Sequence, residues 1–259
     1  MKKILLSIGL GLILLLVLAI LAVGLFLDGA VKRGVETIGS RLTRVDVRLE
    51  SVSLSLLSGS GAIKGLVVGN PEGFKTPQAI SVGSVSLALQ PGSIFSDKVV
   101  IKSINLEAPE ITFEGGFGGN NLSTILANVK SSAGGGTATS ANTAPNQEGK
   151  PGKKLEVDDF TITGAKLHVS LKGMDGKSIQ GVLPEIHLTD LGKGPEGITS
   201  AELTERVLTA IEQAALKGAD KALAGLDKNA AGLVRELNQG SATGAVDSIT
   251  RTLDLLKKK

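Results

Sequence analysis

Three hydrophobic rhythms follow one another along the chain. The first is an unbroken run: from Ile4 to Leu27 no residue is charged, and only Ser7, Gly9, Gly11 and Gly24 interrupt the aliphatics. At about 1.5 Å per residue, a helix over that run reaches roughly 36 Å, enough to cross a hydrocarbon core of about 30 Å with some tilt. A cleaved signal sequence is the competing reading, since Lys2 and Lys3 precede the run and Ala19, Ala22 and Gly24 are small. Its apolar part would span only about 7 to 15 residues, however, and no clear A-x-A site closes the run. The expectation is a transmembrane anchor, with Ile4, Leu14 and Leu27 marking its start, middle and end.

The second rhythm has a period of two. From Arg41 to Phe113 short alternating stretches are punctuated by Gly, Pro, Asn and Ser, the pattern of antiparallel strands and turns. Val85, Leu87 and Leu89 alternate with Ser84, Ser86 and Ala88, so a pleated ribbon there has one apolar and one small, weakly polar face. Asn70-Pro71-Glu72-Gly73 and Gln90-Pro91-Gly92-Ser93 are turn chemistry.

Within this rhythm one spacing recurs, an apolar residue followed by others three and five positions on. It occurs at Leu49/Val52/Leu54, Ile63/Leu66/Val68, Val82/Val85/Leu87, Ile101/Ile104/Leu106, Val157/Phe160/Ile162 and Leu183/Ile186/Leu188. Two copies extend further: Ile101, Ile104, Leu106, Ala108, Ile111 and Phe113 match Val157, Phe160, Ile162, Gly164, Leu167 and Val169 at a constant offset of 56 residues. That predicts a structural repeat. A three-residue step flips a regular strand to its other face, so each copy is expected to carry a bulge or a strand start there.

The segment 115–154 divides the two copies. It opens on Gly115, Gly116, Gly118 and Gly119; Asn121 to Lys130 has the spacing of a short helix through Leu122, Ile125, Leu126 and Val129. Beyond it, Ser131 to Lys154 offers almost nothing to bury, and the segment is expected to be a flexible insert. After Gly197 the third rhythm begins, with a period near 3.6: Ser200 is expected to cap a helix whose Leu203, Val207, Ile211, Ala214 and Ala215 share a stripe. Leu223, Leu226, Ala230, Leu233, Val234 and Leu237 continue the helical pattern toward the lysine tail 257–259.

The expected fold is therefore α+β. An N-terminal transmembrane helix (1–28) leads into an antiparallel β-rich domain of repeated strands (29–114 and 155–195), interrupted by the flexible insert (115–154) and followed by C-terminal helices (196–259). Those helices carry both signs of charge on their polar faces, as at Glu202, Glu205, Arg206, Glu212, Lys217, Asp220 and Lys221. A peripheral membrane helix usually presents a basic face, so packing against the sheet is expected.

Composition narrows the functions open to such a fold. With no Trp or Tyr and only six Phe there is little to stack nucleobases on, and the net charge of +3 is small; nucleic-acid binding is not expected. The absence of cysteine removes disulfide and thiolate chemistry. Asp175-Gly176-Lys177-Ser178 ends like a phosphate loop, but the glycine that motif needs five residues before Gly176 is replaced by Leu171, so a hairpin turn is expected. His168 and His187 both alternate with aliphatics and lack a third ligand at metal spacing. Asp158 and Asp159, neighbours on a strand, are expected on opposite faces, where they cannot share one reacting bond. No Gly-x-Ser-x-Gly elbow occurs. No catalytic residue, cofactor or metal site is expected, and an enzyme is not.

The stretch Ile63-Lys64-Gly65-Leu66-Val67-Val68-Gly69-Asn70-Pro71-Glu72-Gly73-Phe74, followed by Asp97 to Glu114 with its Ile104-Asn105-Leu106-Glu107-Ala108-Pro109-Glu110-Ile111, resembles the N-terminal region of AsmA-like bacterial envelope proteins. The resemblance covers roughly Arg41 to Glu114 and, more faintly, Leu155 to Leu191. It implies a single-pass inner-membrane protein with a periplasmic domain of the repeating β-groove superfamily, whose large members are implicated in moving phospholipid between membranes, and it brings no catalytic residues. Flanking charge alone does not set the orientation, because Lys2 and Lys3 precede the apolar run while Lys32, Arg33, Arg41 and Arg44 follow it. The cytoplasmic N-terminus is what the signal-like start and the resemblance imply. Six to eight strands at about 4.8 Å make a sheet of only roughly 30 to 40 Å, too short to bridge an envelope alone.

Two functional readings follow. In the first, the protein contributes to envelope or outer-membrane assembly, or handles lipid, through an aliphatic groove whose lipid-facing residues are Val85, Leu87, Leu89, Ile104, Leu106, Ile111, Phe113, Phe160 and Ile162. Its partners are then membrane lipids, with other envelope proteins as further candidates and the oligomeric state open. In the second, it is a structural or interaction protein whose sheet is covered by its own C-terminal helices and takes no lipid.

Overall fold

The computed structural model describes residues 26–55, 57–116, 119–134, 153–171 and 178–224. The fold is mixed α+β, a curled β-sheet half-barrel with three helices among the described residues. The first helix, α1, covers 26–43. The strands are β1 (Val47–Arg48), β2 (Ser51–Ser55), β3 (Ser60–Gly69), β4 (Gln78–Leu89), β5 (Lys98–Glu107), β6 (Glu110–Gly116), β7 (Gly119–Asn120), β8 (Lys154–Thr163), β9 (Lys166–Leu171), β10 (Ile179–Val182) and β11 (Ile186–Leu191). Helix α2 (Asn121–Gly134) stands between β7 and β8, and α3 (Ser200–Ala224) follows β11.

Pairing reduces most of these pieces to six long strands. Against β4, strand β5 places Leu106 opposite Val85, and β6 places Glu110 and Ile111 opposite Ser81 and Ile80. The two pairings share one register, so β5 and β6 are one strand bent at Ala108-Pro109. In the same way β8 and β9 form one bent strand, lined on its far side by β10 and β11, and β1 and β2 form one edge strand along β3. All neighbours run antiparallel except the fourth and fifth of the six, where β5–β6 and β8–β9 lie parallel. There Lys98 faces Lys154, Ile104 faces Phe160 and Phe113 faces Val169. The register is the 56-residue offset of the sequence repeat: equivalent residues of the two copies lie side by side.

A parallel pair needs a crossover connection, usually helical. Helix α2 supplies it, and this corrects the expectation of a flexible insert over 115–154 in its first part. Leu122, Ile125, Leu126 and Val129 are buried, Ile125 and Val129 completely. The remainder, 135–152, lies outside the described residues, as do most of the apolar run Ile4 to Leu27 and the segment 225–259. Phe26 and Leu27 are the first described residues of α1. Among the described residues, no helix is long and apolar enough to cross a membrane.

The recurring three-residue step is explained by two lines of irregularity across the sheet. At the first, Glu50, Gly65, Gly83, Ala108, Gly164 and Pro184 occupy facing positions and none is ladder-paired. Gly65, Ala108 and Gly164 take positive φ, at 61°, 46° and 63°. The second runs through Lys102, Asp158 and Asp190, with a register shift at Ala88/Leu89. Dropping one residue from the pleat at each line lets Ile63 and Leu66, or Val157 and Phe160, share a face despite their odd separation. Asp158 and Asp159 consequently both lie on the polar side, bonded to Lys102 and His187, and not on opposite faces as the pattern predicts.

Helix α3 begins with a capping box, but one residue earlier than expected. Thr199 is the cap: the Glu202 amide donates to Thr199 Oγ1 at 3.1 Å and the Thr199 amide to Glu202 Oε2 at 2.7 Å. Ser200 is the first helical residue. The helix packs Leu208, Ile211, Ala214, Ala215 and Ala219 against β6, β8, β9, β10 and β11 and against α2.

Candidate functional site

Transverse rows of facing residues give the sheet two distinct sides. One row runs Val52, Ile63, Val85, Leu106, Ile162, Ile186 across all six strands. The next runs Leu54, Gly61, Leu87, Ile104, Phe160, Leu188, and a third Leu89, Ile101, Val157, Leu191. The row between the first two, on the opposite side, is Ser53, Ala62, Ser86, Asn105, Thr161, His187. One face is therefore continuous aliphatic surface and the other small and polar.

The apolar face is unevenly covered. Ile111, Phe113 and Ile162 are completely or almost completely buried, and Val85, Leu106 and Phe160 nearly so. The helical packing of α2 and α3 concentrates on β6 through β11. Leu87, Leu89 and Ile104 are only half-buried, together with Leu54 and Ile101. Of the nine residues expected to face lipid, six thus belong to the core and three to a strip over β2 to β5 that α2 and α3 leave largely uncovered. At Gly61 a Cβ would stand 2.7 Å from Leu54 Cδ2 and 3.3 Å from Leu87 Cβ, so the missing side chain lets the two leucines approach.

The chain holds the strip from both ends. Strand β1–β2 is a sheet edge, and α1 closes it with side chains four residues apart. The Leu54 amide donates to Asp28 Oδ1 at 2.8 Å, the Leu49 amide to Glu36 Oε1 at 2.9 Å and the Val47 amide to Ser40 Oγ at 2.9 Å, while Lys32 Nζ donates to the Glu50 carbonyl at 3.0 Å. Sequence reasoning missed this stripe, although its signal, Asp28-Lys32-Glu36-Ser40 at helical spacing directly after the apolar run, was present. At the far end the Asn70-Pro71-Glu72-Gly73 turn is pinned by Glu114, which accepts the amides of Lys75 and Thr76 at 2.7 and 2.8 Å and the Thr76 hydroxyl at 2.5 Å. Asn121 joins the network by donating to Asn70 Oδ1 and to the Thr112 carbonyl. Burial pushes the Glu114 carboxyl up, but the bonds from Thr76 and Lys75 outweigh it and leave the group below its ordinary value.

The polar groups singled out from the sequence do not converge. His187 bonds Asp159 at 2.9 Å, holding that carboxyl below its ordinary value with help from Thr161. His168 stands on β9 opposite Gln180, 4.0 Å from Glu110 and apart from His187. Among the described residues no cluster of His, Asp and Glu is arranged to hold a metal ion. Asp175 to Lys177 lie outside the described residues, between the antiparallel strands β9 and β10.

An α+β protein whose curled sheet has one aliphatic and one polar face is the class that fold and site define. The chain belongs to the AsmA family, whose sequence model matches residues 1–238. That family is associated with the bacterial envelope. No curated protein and no solved structure matches the chain.

Proposed function

We propose that this chain is a non-enzymatic envelope protein that shelters acyl chains on the uncovered part of its apolar sheet face. In this reading the segment Ile4 to Leu27 anchors it in the inner membrane, with the N-terminus cytoplasmic and the main domain periplasmic. The supporting observation is the strip Leu54, Leu87, Leu89, Ile101 and Ile104, half-buried on adjacent strands and free of polar or aromatic side chains. Four strands at about 4.8 Å span roughly 15 Å, and each methylene moved from water onto such a surface contributes about 0.8 kcal/mol. A surface of this kind distinguishes chain length poorly and headgroup not at all, which suits bulk membrane lipid better than a particular small molecule.

The second reading, an interaction protein that covers its own sheet, draws support from α2 and α3 burying Ile111, Phe113 and Ile162. It describes the other half of the same face. Native mass spectrometry of the full chain after delipidating washes separates the two: wild type retains bound lipid, and Leu87→Asp and Ile104→Asp lose it with unchanged circular dichroism. Equal retention by wild type and both variants, or none in any of them, overturns lipid sheltering.

A further inference from the structure

Among the described residues, the three most exposed large apolar side chains are Phe26, Leu57 and Phe95, at 76%, 85% and 80% exposure, and all three stand at one end of the sheet. Leu57 lies in the turn from β2 to β3 and Phe95 in the 3-10 turn Pro91–Phe95 between β4 and β5. The turns touch: the Leu89 amide donates to the Gly59 carbonyl at 2.5 Å, and a Cβ on Gly59 would stand 3.1 Å from the Pro91 ring. Phe26 joins them through Asp28, whose carboxylate accepts the Leu54 amide at the end of β2. Lys153 donates to the Ile94 carbonyl, and the Lys154 amide to that of Asp97, bringing the start of β8 to the same rim. In sequence the tips read Ser-Leu56-Leu57-Ser and Ser-Ile94-Phe95-Ser, paired apolar residues on serine turns. Clustered exposed apolar groups of this kind mark an interaction surface.

What covers this rim is decided by where the rest of the chain attaches. The uncharged run Ile4 to Leu27 ends there, at Phe26 and Leu27, and α1 then leads away along the edge strand. We propose that the rim rests on the bilayer that this run enters, with Leu57 and Phe95 inserted at the boundary between headgroups and acyl chains. This rests on the reading of Ile4 to Leu27 as an anchor, and not on lipid sheltering. The partner is the lipid surface itself, not an anionic headgroup. Lys98 and Lys193 are already paired with Glu156 and Asp190, and the exposed Lys153 and Lys154 are balanced by exposed Asp97 and Glu196. Rim contact therefore proceeds on zwitterionic lipid and is insensitive to salt. The half-buried strip Leu54, Leu87, Leu89, Ile101 and Ile104 opens toward the same end, which places its mouth at the lipid.

Because the chain has no cysteine, single labels test this directly in the full-length protein. An environment-sensitive fluorophore is attached at Leu57→Cys, Phe95→Cys or, as control, the exposed Glu72→Cys in the turn at the opposite end, and each protein is reconstituted into phosphatidylcholine vesicles. Labels at 57 and 95 emit at shorter wavelength than the label at 72 and are quenched by brominated acyl chains, at low and at high salt. Protein that floats with the vesicles while all three labels emit alike, unquenched, overturns the rim contact alone. Protein that does not float overturns the anchor and this proposal together. Neither outcome depends on whether the strip carries lipid.

Discussion

Glu114 is the residue on which most local order converges, and the sequence offers no hint of it beyond a glutamate at a strand end. Its carboxylate takes three donors from the turn 70–76. Glu114→Ala leaves the Lys75 and Thr76 amides without an acceptor in a half-buried setting, and is expected to destabilise the fold by about 2 kcal/mol, measured by urea unfolding. The pH dependence follows from its lowered folded-state value. Relative to an unfolded carboxyl near 4.5, the stabilisation is fully present above that pH and is lost as pH falls through the lower folded-state value. The stability difference between wild type and Glu114→Gln therefore narrows on acidification below 4.5. Ala108 makes the converse point: it holds a φ of 46° where its repeat partner Gly164 holds 63°. Ala108→Gly relieves that strain and is expected to raise the thermal midpoint slightly, by a gain of about 0.5 to 1 kcal/mol, whereas Gly164→Ala lowers it.

At the scale of elements, the alternating stretches were legible because period two is a local property, and so was the repeat, because its offset survives in the aliphatic positions. That the two copies lie parallel and side by side was not legible, since nothing in residues 101–113 distinguishes a bent strand from a hairpin. The same ambiguity hid the role of α2 as a buried crossover, though not its helical spacing. Its Leu122, Ile125, Leu126 and Val129 have helical spacing, but the glycines before it and the polar stretch after it outweigh four apolar residues unless the crossover required by a parallel pair is known. The α1 stripe belongs here too, masked by the stronger apolar run before it. If Asp28, Glu36 and Ser40 protect the sheet edge, replacing all three by alanine leaves the amides of Val47, Leu49 and Leu54 without acceptors. Hydrogen exchange at those three positions should then accelerate while exchange within β4 stays unchanged, and the protein should become more prone to self-association.

For the whole molecule, the governing feature is that each long strand drops out of its pleat at shared transverse lines, so a continuous aliphatic face persists across a curled sheet. Helices α2 and α3 fill one part of that face, leaving the strip over β2 to β5 beside the rim formed by Phe26, Leu57 and Phe95. The sequence pattern groups the nine residues expected to face lipid, but sequence alone cannot divide a face into covered and uncovered parts, because the division is made by helices packing from elsewhere in the chain. If the uncovered part of the face holds acyl chains, a photoactivatable benzophenone side chain at Ile104, irradiated in intact cells, gives a protein adduct whose added mass is that of a phospholipid or fatty acyl species. Cross-linking solely within the chain or to another protein, with no lipid adduct, would contradict it.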